Sequence, residues 1–143
     1  MSFNIRVYGI VIKDNHILLS DETIYGKFYT KFPGGGLEPG EGTRDCIKRE
    51  FMEEMNWHVE AGEHLYTTDF YQQSAFNAAH QIISIYYLVN PLEDKEIQYS
   101  EEPAFFEMEN YRWADISNLT EDSVTLPIDK IVVRILIDKL TSL

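Results

Sequence analysis

The chain has 143 residues, of which 44% are apolar and 25% charged, and 24 acidic side chains against 12 basic ones give a formal net charge of −12. That length and composition suit one domain with a buried core and exclude a disordered chain. The negative excess excludes nonspecific binding to nucleic acid or to an anionic membrane surface. It also means that a phosphate-bearing ligand is repelled unless bound cations invert the local sign. The single cysteine rules out an internal disulfide and fits a reducing compartment. The first residues hold no signal-like apolar core, and no segment approaches membrane-spanning length, so a cytoplasmic protein is expected.

Residues 5–12 are rich in β-branched side chains and predict a strand. Asp14-Asn15 forms its turn, and residues 17–19 return as the hairpin partner. His16 borders that turn as a solvated loop residue. Residues 20–27 read as a polar loop, and residues 28–32 as a short strand delivering Gly34, Gly35 and Gly36. These glycines permit tight turns and close approach of backbone to a ligand. A nucleotide P-loop is excluded, because the G-K-[ST] ending is missing.

A helix is predicted over residues 43–55, which contain neither Gly nor Pro. Thr43 follows Gly40 and Gly42 and can cap the first turn, with Asp45 near the positive end of the helix dipole. Ile47, Phe51 and Met55 share a core-facing arc. Glu50, Glu53 and Glu54 share the neighbouring arc, since positions i, i+3 and i+4 adjoin on a helix. A solvated face is the simplest reading of a glutamate run. Against it, these carboxylates border the apolar arc, and a glycine-rich loop enters the same helix. Hard oxygen donors gathered in this way suit Mg²⁺ or Mn²⁺. Cys46, surrounded by glutamates, reads as a packing residue with a raised pKa rather than a nucleophile.

Strands are predicted over residues 57–60, 65–71 and 80–89, with a turn at Ala61-Gly62 and a loop over residues 72–79. Most of the aromatic rings in this region serve packing. An acidic loop over residues 95–103, a strand over 105–113 and a helical turn over 116–119 follow. Pro127 opens a C-terminal helix with the apolar stripe Ile128, Ile131, Val132, Ile135, Leu136 and Leu140.

Gly35, Glu41 and the run Arg49-Glu50-Phe51-Met52-Glu53-Glu54, flanked by Pro33-Gly34-Gly35 and Glu38-Pro39-Gly40-Glu41, resemble the signature of the Nudix (MutT-like) hydrolases. The pattern departs at one place: Asn56 stands where the family has glycine. A left-handed helix cap is expected there, and Asn is the best substitute for Gly in that conformation. The resemblance implies a single α/β domain over residues 1–143, a Nudix-type α/β/α sandwich with a mixed β-sheet between helices. It implies hydrolysis of the pyrophosphate bond in a nucleoside diphosphate linked to another moiety. That covers nucleoside triphosphates, nucleotide sugars, ADP-ribose and dinucleoside polyphosphates. Glu50, Glu53 and Glu54 would hold Mg²⁺ or Mn²⁺, with Glu41 a further or outer ligand, and Arg49 would hold a ligand carboxylate in place, off the edge of the cluster. A downstream carboxylate would complete the site: Glu107 first, with Glu101, Glu102 and Glu109 as rivals. Gly34, Gly35 and Gly36 would line the substrate, and Tyr71 stands near a tyrosine that dinucleoside polyphosphate hydrolases carry. Family members are often dimers, so a homodimer is one assembly the resemblance implies. The alternative is a catalytically silent nucleotide-binding or protein-interaction module on the same fold.

Overall fold

The computed structural model describes residues 1–103 and 109–141, and these fall into two compact units. Residues 1–11 and 33–95 form the first, while residues 12–32 and the chain from Glu96 onward form the second. The strands are β1 (Ser2–Ile10), β2 (Ile12–Lys13), β3 (His16–Ile24), β4 (Lys27–Lys31), β5 (Gly34–Gly36), β6 (Val59–Thr67), β7 (His80–Pro91) and β8 (Asn110–Asp115). The helices are α1 (Thr43–Met55) and α2 (Pro127–Thr141), with short 3₁₀ turns at Ile116–Asn118 and Glu121–Ser123.

In the first unit the sheet order is β5-β1-β7-β6. It is mixed: β1 runs parallel to β7, whereas β5 and β6 run antiparallel to their neighbours. This is the mixed sheet with helices that the resemblance implies. Helix α1 lays Cys46, Ile47, Phe51 and Met55 on the core. Gly9 of β1 makes that approach feasible, because a Cβ there would lie 2.7 Å from the Phe51 ring. The two strands expected at 57–60 and 65–71 are one strand, β6. The Ala61-Gly62 turn expected between them is a register shift within it, since an irregularity of that kind bends a strand without ending it.

In the second unit β3 pairs antiparallel with β2, β4 and β8. Asp14 and Asn15 both take positive φ, 49° and 62°, as a tight two-residue hairpin turn requires. The polar loop expected at 20–27 is strand as far as Ile24. Its polar residues sit inside because they are paired: Asp21 accepts from Thr30 Oγ1 at 2.7 Å and from Arg112 Nε at 2.7 Å. The strand expected at 105–113 is observed from Asn110, and residues 104–108 lie outside the described residues. Helix α2 begins at Pro127 as expected, but Asp129 and Val133 join Ile128, Val132 and Leu136 as its buried residues, and Leu140 is exposed. Among the described residues no helix is long and apolar enough to cross a membrane.

Candidate active site

Helix α1 spans the expected residues, but its N-cap lies one residue before the expected one. Gly42 is the N-cap, and without a side chain it caps nothing itself; instead Asp45 Oδ2 accepts from the Gly42 N–H at 3.1 Å. The Thr43 hydroxyl faces the sheet and meets the Tyr87 hydroxyl at 2.6 Å, tying the helix start to β7. At the other end Asn56 is left-handed, φ 51° and ψ 46°, and its N–H donates to Met52 O at 3.0 Å. Between these ends the helix turns its carboxylates towards β5.

Gly35 decides how close they come. The Glu50 carboxylate lies against the Gly35 α-carbon, where a Cβ would stand 2.3 Å from Glu50 Cδ. No other residue leaves that space open. The three glycines are therefore not a loose loop: they form β5, hydrogen-bonded to β1 through the pairs Arg6↔Gly36, Val7↔Gly35 and Tyr8↔Gly34.

Arg49 stands within the carboxylate cluster, not off its edge as the sequence suggested. It grips Glu41 with two parallel hydrogen bonds of 2.9 and 2.7 Å. Its Nη1 donates to Glu50 at 2.9 Å and to Glu53 at 3.1 Å, and its Nη2 donates to Gly36 O at 2.9 Å. Glu38 lies 3.6 Å away. The fork fixes Glu41, whose carboxyl is held down at about 2, mainly by Arg49 and next by the Glu38 N–H. Glu41 in turn holds the Arg49 guanidinium above its ordinary pKa. Cys46, fully buried at the foot of the cluster, has its thiol pushed up to about 12 by burial and then by Glu41. A thiol that stays protonated is no nucleophile at neutral pH, which matches its expected packing role.

The other expected site residues have settings of their own. Glu107 lies outside the described residues. Glu109 is committed to Lys31 at 2.8 Å and to the Ser20 hydroxyl within the second unit. Burial, the largest influence, would raise its pKa, but Lys31, Ser20 and Tyr111 together hold it below the ordinary value. Glu101 accepts from the Asp115 N–H at 3.1 Å, and Glu102 is an exposed turn residue. Tyr71 is 59% exposed, and its hydroxyl meets the Met1 sulfur at 3.9 Å, at the start of the chain. Beside β5 stands one further charged residue, Arg6, which faces Gly36 across β1 and β5; a lone arginine in a strand carries no motif to mark it.

Carboxylate oxygens bordering a strand without side chains suit a hard divalent cation. Glu50, Glu53 and Glu54 are the residues that would hold one. As they stand, no three His, Cys, Asp or Glu side chains among the described residues are drawn together as a metal cage. The cation shared by Glu41, Glu50 and Glu53 is the Arg49 guanidinium.

The family model described as NUDIX domain matches residues 3–134. The chain belongs to the Nudix family. Solved structures agree with this fold. The solution structure of the E. coli ORF135 protein has a TM-score of 0.71 at 18% identity, covering 96% of this chain and 91% of that one. The MutT protein from Methanosarcina mazei Go1 gives 0.69 at 15%, covering 96% and 95%. An ADP-ribose pyrophosphatase from Streptococcus suis gives 0.57 at 17%, covering 91% and 88%. A search of curated proteins finds no match to this sequence.

Proposed function

We propose that this Nudix chain is a Mg²⁺- or Mn²⁺-dependent diphosphohydrolase. It cleaves the pyrophosphate linkage of a nucleoside diphosphate joined to another moiety, and residues 1–143 act as one domain. The observation that carries this reading is a charge imbalance: Glu38, Glu41, Glu50 and Glu53 all lie within 4 Å of the one guanidinium of Arg49. Carboxylates in such excess repel one another, and a further cation relieves that repulsion. The family match spans both compact units, which supports the single-domain reading.

A divalent ion held by Glu50, Glu53 and Glu54 would neutralise phosphate charge and lower the pKa of an attacking water. The chain's own residues supply the rest. Glu41 anchors the Arg49 fork, and that fork fixes the carboxylates of Glu50 and Glu53. Gly35 leaves room for the Glu50 carboxylate, and Gly34, Gly35 and Gly36 present backbone alone to a substrate. Glu107 is the first candidate for a further carboxylate. Glu109 is a poorer one, because Lys31 already neutralises it.

Among similar structures are an ADP-ribose pyrophosphatase, a UDP-X diphosphatase and MutT proteins. A substrate panel must therefore be wide. Phosphate release should be assayed on nucleoside triphosphates, nucleotide sugars, ADP-ribose and dinucleoside polyphosphates, with Mg²⁺, Mn²⁺ or EDTA. Turnover of at least one class that EDTA abolishes is expected. Ligand binding without turnover throughout the panel would instead identify a silent binding module.

A further inference from the structure

The proposed site is rich in acid and its substrate is an anion, so a fixed cation not already consumed by the carboxylates would aid the divalent ion in holding it. Arg49 cannot serve, because Glu41, Glu50, Glu53 and Gly36 O take its hydrogen bonds. Arg6 of β1 can. It is half-buried, its Nε donates to the Tyr8 hydroxyl at 3.3 Å, and its guanidinium lies 5.9 Å from the centre of the Tyr8 ring. Among the described residues it has no carboxylate partner within 4 Å. Its backbone partner is Gly36, and Nη1 lies 3.6 Å from the point a Gly36 Cβ would occupy. The acidic cluster approaches the same strand at the preceding residue, where Glu50 rests against Gly35. Successive positions of a strand face opposite ways, so Arg6 and Glu50 flank a ribbon of bare backbone.

We propose that Arg6 is a substrate-binding residue, its guanidinium receiving non-bridging oxygens of the substrate's diphosphate. The planar fork of arginine matches phosphate oxygens in pairs, and Tyr8 holds that fork in place before substrate arrives. Glu50 and Glu54 act on Arg6 through their fields. Burial would lower its pKa, but Tyr8 and these two carboxylates together raise it, so the cation is firmly charged. This inference rests on the diphosphohydrolase reading and adds the group that holds the anion.

Two binding measurements on the intact protein separate this role from a structural one. Mn²⁺ binding is followed by electron paramagnetic resonance, and binding of methylenediphosphonate at saturating Mn²⁺ by calorimetry. Arg6→Met should weaken methylenediphosphonate binding by about tenfold or more, and Arg6→Lys by roughly threefold, for loss of the paired hydrogen bonds. Mn²⁺ alone should bind Arg6→Met as well as wild type or more tightly, because a positive charge near Glu50 and Glu54 has gone. With the best substrate of the panel, KM should rise and kcat change little. Methylenediphosphonate affinity within twofold of wild type would overturn the assignment, read from Arg6→Lys if Arg6→Met does not fold. So would equal losses of both ligands, or wild-type protein that binds Mn²⁺ but not methylenediphosphonate. Wild-type protein that ignores Mn²⁺ would instead bring down the diphosphohydrolase reading, and this inference with it.

Discussion

Each compact unit holds an arginine among carboxylates, and the two are built on opposite terms. In the second unit Arg112 meets Asp21 at 2.7 and 3.3 Å, one charge against one, with Asp21 wholly buried. The Thr30 hydroxyl donates to the same carboxylate, and the Ser100 carbonyl takes a further guanidinium N–H. In the first unit Arg49 faces four carboxylates, and the Glu53 side chain is 59% exposed. A balanced, desolvated pair serves the fold, since breaking it strands a charge in a dry place. An unbalanced, partly wet cluster is left short of positive charge, and that shortage is what a substrate-bound cation can use.

The contrast is sharpest where the two sets of mutations should separate. Asp21→Ala should cost about 3–5 kcal/mol of stability, measured by urea unfolding, because Arg112 is left buried and unpaired. Glu53→Gln or Glu54→Gln should lower kcat/KM more than about 100-fold, roughly 3 kcal/mol of transition-state stabilisation. Melting temperatures of these two variants should stay close to wild type, since both side chains sit on an exposed arc of α1. Wild-type turnover in both, or an unfolding penalty like that of Asp21→Ala, would erase the distinction between the regions.

Acid titration probes the same contrast more gently. The Glu41 carboxyl falls from an ordinary 4.5 to about 2 in the folded protein. A depressed pKa means a contribution that is fully present above pH 4.5 and fades as pH drops towards 2. Thermal melts in that window should therefore show a steeper decline for wild type than for Glu41→Gln. Parallel curves would mean that the Arg49 fork is not closed in solution.

The sequence carried the main helix of the first unit better than the strand pairing of the second. Helix α1 was legible to the residue because its apolar and acidic positions recur at helical spacing and Asn56 marks its end. Its N-cap was misplaced by one, since the Thr43 hydroxyl finds Tyr87, a partner 44 residues away that local reasoning cannot see. The central position of Arg49 was hidden for the same reason: it depends on Glu41, placed by the β5 turn and not by the helix. Ser20 and Asp21 read as loop because polar residues ordinarily mark solvent. Thr30 of β4 and Arg112 of β8 pair with Asp21, and Glu109 with Ser20, and those distant partners let a buried strand stand there. Arg6 and its register with Gly36 depend on strand pairing alone.

The smallest effect concerns the one departure from the Nudix signature. Asn56 holds φ 51° and ψ 46°, and its N–H closes on Met52 O. An asparagine tolerates the left-handed region at modest strain, a glycine at none, and a β-branched residue poorly. Asn56→Gly should thus shift stability by only a few tenths of a kcal/mol, whereas Asn56→Val should cost roughly 1 kcal/mol or more. Activity should persist in both folded variants, because this cap ends the helix beyond Glu54 and its N–H closes on backbone carbonyls of the last turn. Equal melting temperatures for the two would show that the strain at Asn56 is absent in solution. The helix would then end by some route other than a left-handed cap.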